Sequence, residues 1–306
     1  MSRRGRLRAG ALGTAVGLGL LVVVDLATGL AFRTGTTARV TATAAQKGPT
    51  TRAFVILPGH TLSGGVVARA FAPYRSPGDA FVAVDYAERG VDPAAIYRQV
   101  RAALDTLHPR TVVVYGPSLG GLVARALLSA YAADGLPYGT VALVLDSGPS
   151  QESDVRRPGL FFDVGCRYPG GLVSTALWGI GSSFARHPDP EPGADPALVS
   201  TAQGGSAWGG TPAVLSQACF IRAASAAGAT ADRQALAGVV DRAVFLQGTD
   251  PQDDPLIDVP RAVDGWRQRL PQLQVVTIAT RPARWHLPIV ERPRETMTAM
   301  TAALAP

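Results

Sequence analysis

Thr111-Val112-Val113-Val114-Tyr115-Gly116-Pro117-Ser118-Leu119-Gly120-Gly121-Leu122-Val123-Ala124-Arg125-Ala126-Leu127-Leu128 is the stretch whose reading decides the fold. Its first five residues are β-branched or aromatic and uninterrupted by charge, as in a strand buried on both faces. Its last seven repeat apolar residues with helical periodicity. Between them stands Gly-Pro-Ser-Leu-Gly, a turn that lifts one serine between a strand and a helix. A side chain presented there needs a strained backbone, and the residues two positions away must lack side chains to avoid collision; Gly116 and Gly120 meet that need. Pro117 is a less usual neighbour for the serine but does not bar the turn.

Working outward, short apolar runs alternate with amphipathic ones. Strands are expected at Ala53 to Leu57, Phe81 to Asp85, Val141 to Leu145, Arg242 to Gln247 and Leu273 to Ile278, besides Thr111 to Tyr115. Helices are expected at Pro93 to Leu107, Leu119 to Ala133, Val259 to Leu270 and Arg292 to Leu304. Arg39 to Thr43 is a possible outer strand. Such alternation implies an α/β fold, a mostly parallel central sheet with helices on both faces. It breaks between about Gly148 and Val240, where helical pieces (Leu172 to Ala185, Ala213 to Ala227) flank a Pro/Gly-rich run from His187 to Pro212. An insertion there reads as a helical lid over the carboxyl edge of the sheet, where open α/β sheets bind ligands; the alternative is a structural elaboration with no role in substrate choice.

The chain has 306 residues, enough for one α/β domain, expected over 46–306. Of its 29 Lys and Arg and 23 Asp and Glu, six arginines and one acid precede Ala45, so the remainder carries 23 against 22. The basic character belongs to residues 1–45 and not to a patch on the body, which argues against a nucleic-acid partner. That first segment has an arginine-rich start, an apolar stretch from Ala9 to Val24 and small residues at Ala42 to Ala45. This is the layout of an export signal, with an opening similar to a twin-arginine signal except for Arg6. The apolar stretch is slightly short for a spanning helix and Asp25 interrupts it, so a cleaved signal is favoured over an N-terminal membrane anchor. Either reading places the body outside the cytoplasm, secreted or membrane-associated. Cys166 and Cys219 are compatible with one disulfide in an exported protein or with two buried thiols. No metal-ligand spacing occurs.

The strand, turn and helix around Ser118 resemble the nucleophile elbow of the α/β-hydrolase superfamily, and the resemblance covers most of the chain after residue 45. It implies an eight-stranded sheet with the early strands reduced here, no cofactor, and a triad in the order serine, acid, histidine. Trp285-His286-Leu287-Pro288-Ile289-Val290-Glu291-Arg292-Pro293 is similar to the family's histidine loop and makes His286 the expected base. His108 and His187 read as solvated. For the acid, Asp254-Pro255-Leu256-Ile257 fits the family's run best; Asp250, Asp253 and Asp146 are the alternatives. Leu57-Pro58-Gly59-His60-Thr61 resembles the oxyanion loop, with Pro58 in the place of its usual histidine. The backbone donors are then Leu119 and His60, with Thr61 as the alternative to His60.

The reading that follows is an exported serine hydrolase acting on a small-molecule ester or related acyl compound through an acyl-serine intermediate. Phe161, Phe162, Trp178 and Trp208 could line an apolar pocket or form the insertion's own core. A secreted peptidase acting on short peptides is the nearest rival; it requires an acidic cluster to capture a free amine, with Glu152, Asp154 and Asp163 as scattered candidates. A binding protein that kept the fold without the chemistry is the reading from another class.

Overall fold

In the computed structural model, residues 3–32, 38–60, 62–87, 90–135, 138–156, 159–168, 170–176, 194–202, 210–226, 229–280 and 286–304 are described. Among them seven strands form one sheet: β1 (Arg39–Thr43), β2 (Arg52–Ile56), β3 (Asp79–Asp85), β4 (Thr111–Pro117), β5 (Thr140–Asp146), β6 (Arg242–Gln247) and β7 (Gln274–Thr277). Their spatial order is β1-β3-β2-β4-β5-β6-β7. Only β1 runs antiparallel, against β3; every other pairing is parallel. The expected outer strand Arg39–Thr43 is therefore the sheet's antiparallel edge, and β4, which carries the serine turn, is central.

Side chains on successive strand residues point to opposite faces, and both faces here are apolar. Val55, Leu57, Val112 and Val114 belong to one buried layer, Phe54, Ile56, Val113 and Tyr115 to the other. On the first face lie α3 (Pro93–Leu107) and α4 (Leu119–Asp134), with α9 (Val259–Arg269) beyond them; Ile96, Leu104, Leu122, Leu127 and Trp266 are fully enclosed. On the second face lie α2 (Gly64–Phe71) and α11 (Pro293–Ala303), which bury Val67, Phe71, Met297 and Met300. The sequence reading did not include α2. It is only eight residues long, and Ser63, whose hydroxyl accepts from the Val66 N–H, caps it.

Between β5 and β6 run α5 (Gly159–Arg167), a helical turn at 172–176, α6 (Pro196–Ala202), α7 (Gly210–Ser225) and α8 (Ala229–Ala237). Cys166 and Cys219 form a disulfide that joins α5 to α7, with Cα atoms 4.7 Å apart. Not all of this insertion lies over the sheet edge. α8 packs on α4 and α9 and buries Leu236 in the main core, and Phe162, Ala218 and Ile221 join the same core. Within the insertion expected as a lid at about 148–240, α8 and the inner faces of α5 and α7 belong to the main core. Residues 177–193 and 203–209, with Trp178, His187 and Trp208, lie outside the described residues.

One side chain ties this framework to the serine turn. Trp266 of α9 is enclosed, stands 3.5 Å from the position a methyl on Gly121 would take, and donates its indole N–H to the Gly148 carbonyl at 3.0 Å. Behind it, Asp232 of α8 holds Arg125 of α4 at 3.3 Å and Arg269 of α9 at 3.2 Å. Arg125 in turn donates to the Ser150 carbonyl at 3.3 Å, so a buried ionic cluster pins the loop that leaves β5. Trp266→Ala is expected to lower the free energy of unfolding by ~3–5 kcal/mol through the cavity it leaves. Trp266→Phe should cost less, ~1–3 kcal/mol, chiefly through the unpaired Gly148 carbonyl. Urea titration followed by circular dichroism measures both, and an unchanged midpoint in Trp266→Ala would contradict the packing described.

Candidate active site

Ser118 joins β4 to α4 with φ 48° and ψ −122°, a conformation that L-residues rarely adopt. Its surroundings over-determine it. The Ser118 N–H donates to the Asp146 carbonyl at 2.9 Å, and its own carbonyl accepts from the Gly121 N–H at 3.0 Å. A methyl on Gly116 would lie 2.6 Å from the Gly120 backbone, and one on Gly120 would lie 1.9 Å from the Leu57 carbonyl oxygen. Two strands and a helix therefore meet at distances only glycine permits, and the serine side chain is left at the meeting point, nearly buried.

The loop after β2 comes against this turn. Leu57 donates to the Tyr115 carbonyl at 2.9 Å, and the Tyr86 hydroxyl donates to the Pro58 carbonyl at 2.9 Å. A methyl on Gly59 would stand 3.3 Å from Ser118 Cβ, which brings the backbone at Gly59 and half-buried His60 beside the serine. Leu119 opens α4, where first-turn N–H groups have no intrahelical acceptor. Thr61, the alternative donor, lies outside the described residues.

His286 stands between β7 and α10 (Pro288–Glu291). Its Nδ1 is 2.8 Å from Oδ2 and 3.0 Å from Oδ1 of Asp254. Asp254 Oδ1 also accepts from the N–H groups of Leu256 at 2.9 Å and Ile257 at 2.8 Å, which fix the carboxyl group opposite the imidazole. Among the described residues, His286 Nε2 is buried with no hydrogen-bond partner. The imidazole is thus held from its Nδ1 side and left open at the other nitrogen.

The other three aspartates are placed differently. Asp250 and Asp253 are exposed and bracket a turn in which the Asp253 N–H donates to the Asp250 carbonyl at 3.1 Å. Asp146 ends β5, fully buried, and its Oδ2 accepts from the Tyr115 hydroxyl at 2.5 Å. Burial pushes its carboxyl up to about 7, against the Tyr115 hydroxyl bond and the nearby His286, which favour ionisation. The same burial drives the Tyr115 phenol well above its ordinary range. Asp254, not Asp146, therefore bonds the imidazole. Tyr115, Tyr86 and Trp266 were not identified as site supports from sequence; the only signal for Tyr115 was a hydroxyl at the end of an otherwise apolar strand.

The acids proposed to capture a peptide amine are already engaged. Arg222 bonds Glu152 at 3.1 Å and pairs with Asp163, which holds the Asp163 carboxyl below its ordinary range. Asp154 is buried and accepts from the N–H and the hydroxyl of Ser150, both at 2.8 Å. Phe162 is packed into the main core.

No protein-family profile matches the sequence, and no curated protein resembles it in sequence. Solved structures do resemble its fold. An esterase from Exiguobacterium antarcticum superimposes over 87% of this chain and 94% of its own, with a TM-score of 0.57 and 14% identity. A putative aryl esterase from Burkholderia cenocepacia covers 87% and 93% at a TM-score of 0.58 and 16% identity. An α/β hydrolase from a Medee basin deep-sea metagenome library covers 87% and 93% at 0.55 and 12%. With a seven-stranded, mostly parallel sheet, flanking helices and the strand–serine–helix turn at its centre, the chain has the α/β-hydrolase fold.

Proposed function

We propose that the protein is a serine hydrolase that cleaves a carboxylic ester or related acyl compound through an acyl-Ser118 intermediate. The observation that carries this reading is a serine in a strained turn at the end of a central strand, together with a partly buried histidine whose Nδ1 is bonded to the Asp254 carboxyl group and whose Nε2 has no partner among the described residues. His286 Nε2 accepts the Ser118 hydroxyl proton as Oγ attacks the acyl carbon. Asp254 holds the Nδ1 tautomer and stabilises the imidazolium. The negative oxygen of the tetrahedral intermediate meets the backbone N–H groups of Leu119 and His60. On collapse the imidazolium returns its proton to the leaving alkoxide. A water molecule then gives its proton to His286, attacks the acyl carbon, and releases the acid and free Ser118. Two of the structures described above bear esterase names, which supports an acyl ester over other bonds, and the pairing of Glu152, Asp154 and Asp163 with other side chains weighs against the peptidase reading.

The full chain treated with a fluorophosphonate probe should be labelled at Ser118 alone, as read by mass spectrometry, with no labelling of Ser118→Ala. Folded protein that resists the probe would overturn the activated serine. Once a turned-over ester is identified, Ser118→Ala and Asp254→Asn should each lower kcat/KM by on the order of 10⁴-fold or more. Asp250→Asn and Asp253→Asn should leave it unchanged; a large loss at either would move the acid.

Asp146 gives a separate expectation. Its carboxyl is harder to ionise in the folded state than in the unfolded chain. The unfolded chain therefore releases that proton first as pH rises from about 4, and the group destabilises the fold progressively until about 7. Asp146→Asn keeps an acceptor for Tyr115 and removes the charge. Its stability at pH 8 should exceed that of the parent, with no difference at pH 3, and most of the hydrolytic activity should remain. A variant less stable than the parent at pH 8 would contradict this account.

A further inference from the structure

The N-terminal helix α1 (Arg3–Phe32) changes character at one residue. Residues 13–24 are exposed on all sides, with Val16, Leu18, Leu20, Leu21, Val22 and Val23 at least half accessible. From Asp25 onward one face of the helix is docked, while Ala27, Leu30 and Ala31 remain exposed. Asp25 is buried, its carboxylate accepting from the Ser174 N–H at 3.0 Å and from the Tyr168 hydroxyl. One turn on, Thr28 accepts from the Leu172 N–H at 3.1 Å. The backbones touch: a methyl on Gly29 would lie 1.6 Å from the Gly170 carbonyl oxygen, and one on Gly171 would lie 1.9 Å from the Asp25 carbonyl oxygen. An acid that interrupts an apolar stretch is here spent on the insertion between β5 and β6.

The chain after the helix is equally committed. Ala38 is buried and its carbonyl accepts from the Gln99 side chain at 2.8 Å. Arg39–Thr43 pairs residue for residue with Asp85–Phe81. Cleavage at Ala42 to Ala45 would separate β1 from the body and uncover the edge of β3, whose residues are buried.

We propose that α1 is retained in the mature protein as a single-span membrane anchor and that Asp25, at its outer end, latches Tyr168 and the 170–175 segment of the insertion to the membrane surface. The occupant of the exposed surface is the bilayer. Gly13–Ala31 is long and apolar enough to span, and its bare portion has no polar face to turn toward water or a polar partner. Arg8 and Asp25 stand ~26 Å apart along the axis, close to the ~30 Å of a hydrocarbon core. The four arginines at positions 3, 4, 6 and 8 orient that end toward the cytoplasm and the body outward. Leu172, 55% exposed beside Thr28, sits at the level where the helix leaves the lipid.

The test uses the full chain with a carboxyl-terminal tag, expressed in a bacterial host and reconstituted in phosphatidylglycerol/phosphatidylethanolamine nanodiscs. The intact mass should include residues 3–32, and the protein should stay in the membrane pellet after carbonate extraction. In hydrogen exchange, the amides of Leu172 and Ser174 should be protected, and in Asp25→Leu at least the Ser174 amide should exchange about tenfold faster or more. Amides of β4 and β5 should not change, which shows that the variant is folded; Thr28→Ala should speed Leu172 alone. A mature chain beginning at or after residue 42, or carbonate extraction of the intact chain, overturns the anchor. Unchanged exchange at 170–176 in both variants overturns the latch. None of these readouts depends on hydrolytic activity.

Discussion

The contact between the serine turn and the carbonyl of Leu57 governs the rest of the structure. With a methyl at Gly120 only 1.9 Å from that oxygen, α4 can leave β4 at this angle only if residue 120 has no side chain. The tight approach forces Ser118 into its positive φ. That strain persists because both backbone groups of Ser118 are bonded, the N–H to Asp146 and the carbonyl to Gly121. The loop past β2, the end of β5 and the start of α4 thereby converge on one side chain. Trp266 and the buried Arg125–Asp232–Arg269 cluster hold that convergence from behind.

Two carboxyl groups near His286 differ because their surroundings differ. Asp254 is bonded by the backbone N–H groups of Leu256 and Ile257 besides the imidazole, which hold its carboxyl group against His286. Asp146 is enclosed by apolar strand residues, and burial outweighs its bonds from the Tyr115 hydroxyl and the Ile289 backbone and the pull of nearby His286. Asp146 supports the turn through its backbone carbonyl, which accepts from the Ser118 N–H.

The insertion and the N-terminal helix also act together. The disulfide joins α5 to α7, α8 is built into the main core, and Tyr168 and the 170–175 segment lie on the helix at Asp25 and Thr28. The elements nearest the open sheet edge are therefore fastened at several points. In the proposed arrangement one of those points is the membrane surface.

The residues of the elbow, the strand and helix periodicities and the His286 loop were legible in the sequence because each is a local pattern. A β-branched run, a glycine two positions from a serine and a 3.6-residue repeat act within a few residues of one another. Six of the seven strands among the described residues and the four helices expected outside the insertion were readable to within two residues for this reason, and the seventh strand, β1, as a possible edge. Local pattern was insufficient where the outcome depends on what arrives from far along the chain. Asp254, Asp250 and Asp253 share one turn, and only the approach of His286, 32 residues away, separates the first from the others. The sequence showed Asp25 as a flaw in an apolar stretch; the fold brings Tyr168 and Ser174 to it from more than 140 residues away and makes it a contact. Composition sets which residues seek burial, but the partner that satisfies a buried polar group is chosen by tertiary geometry.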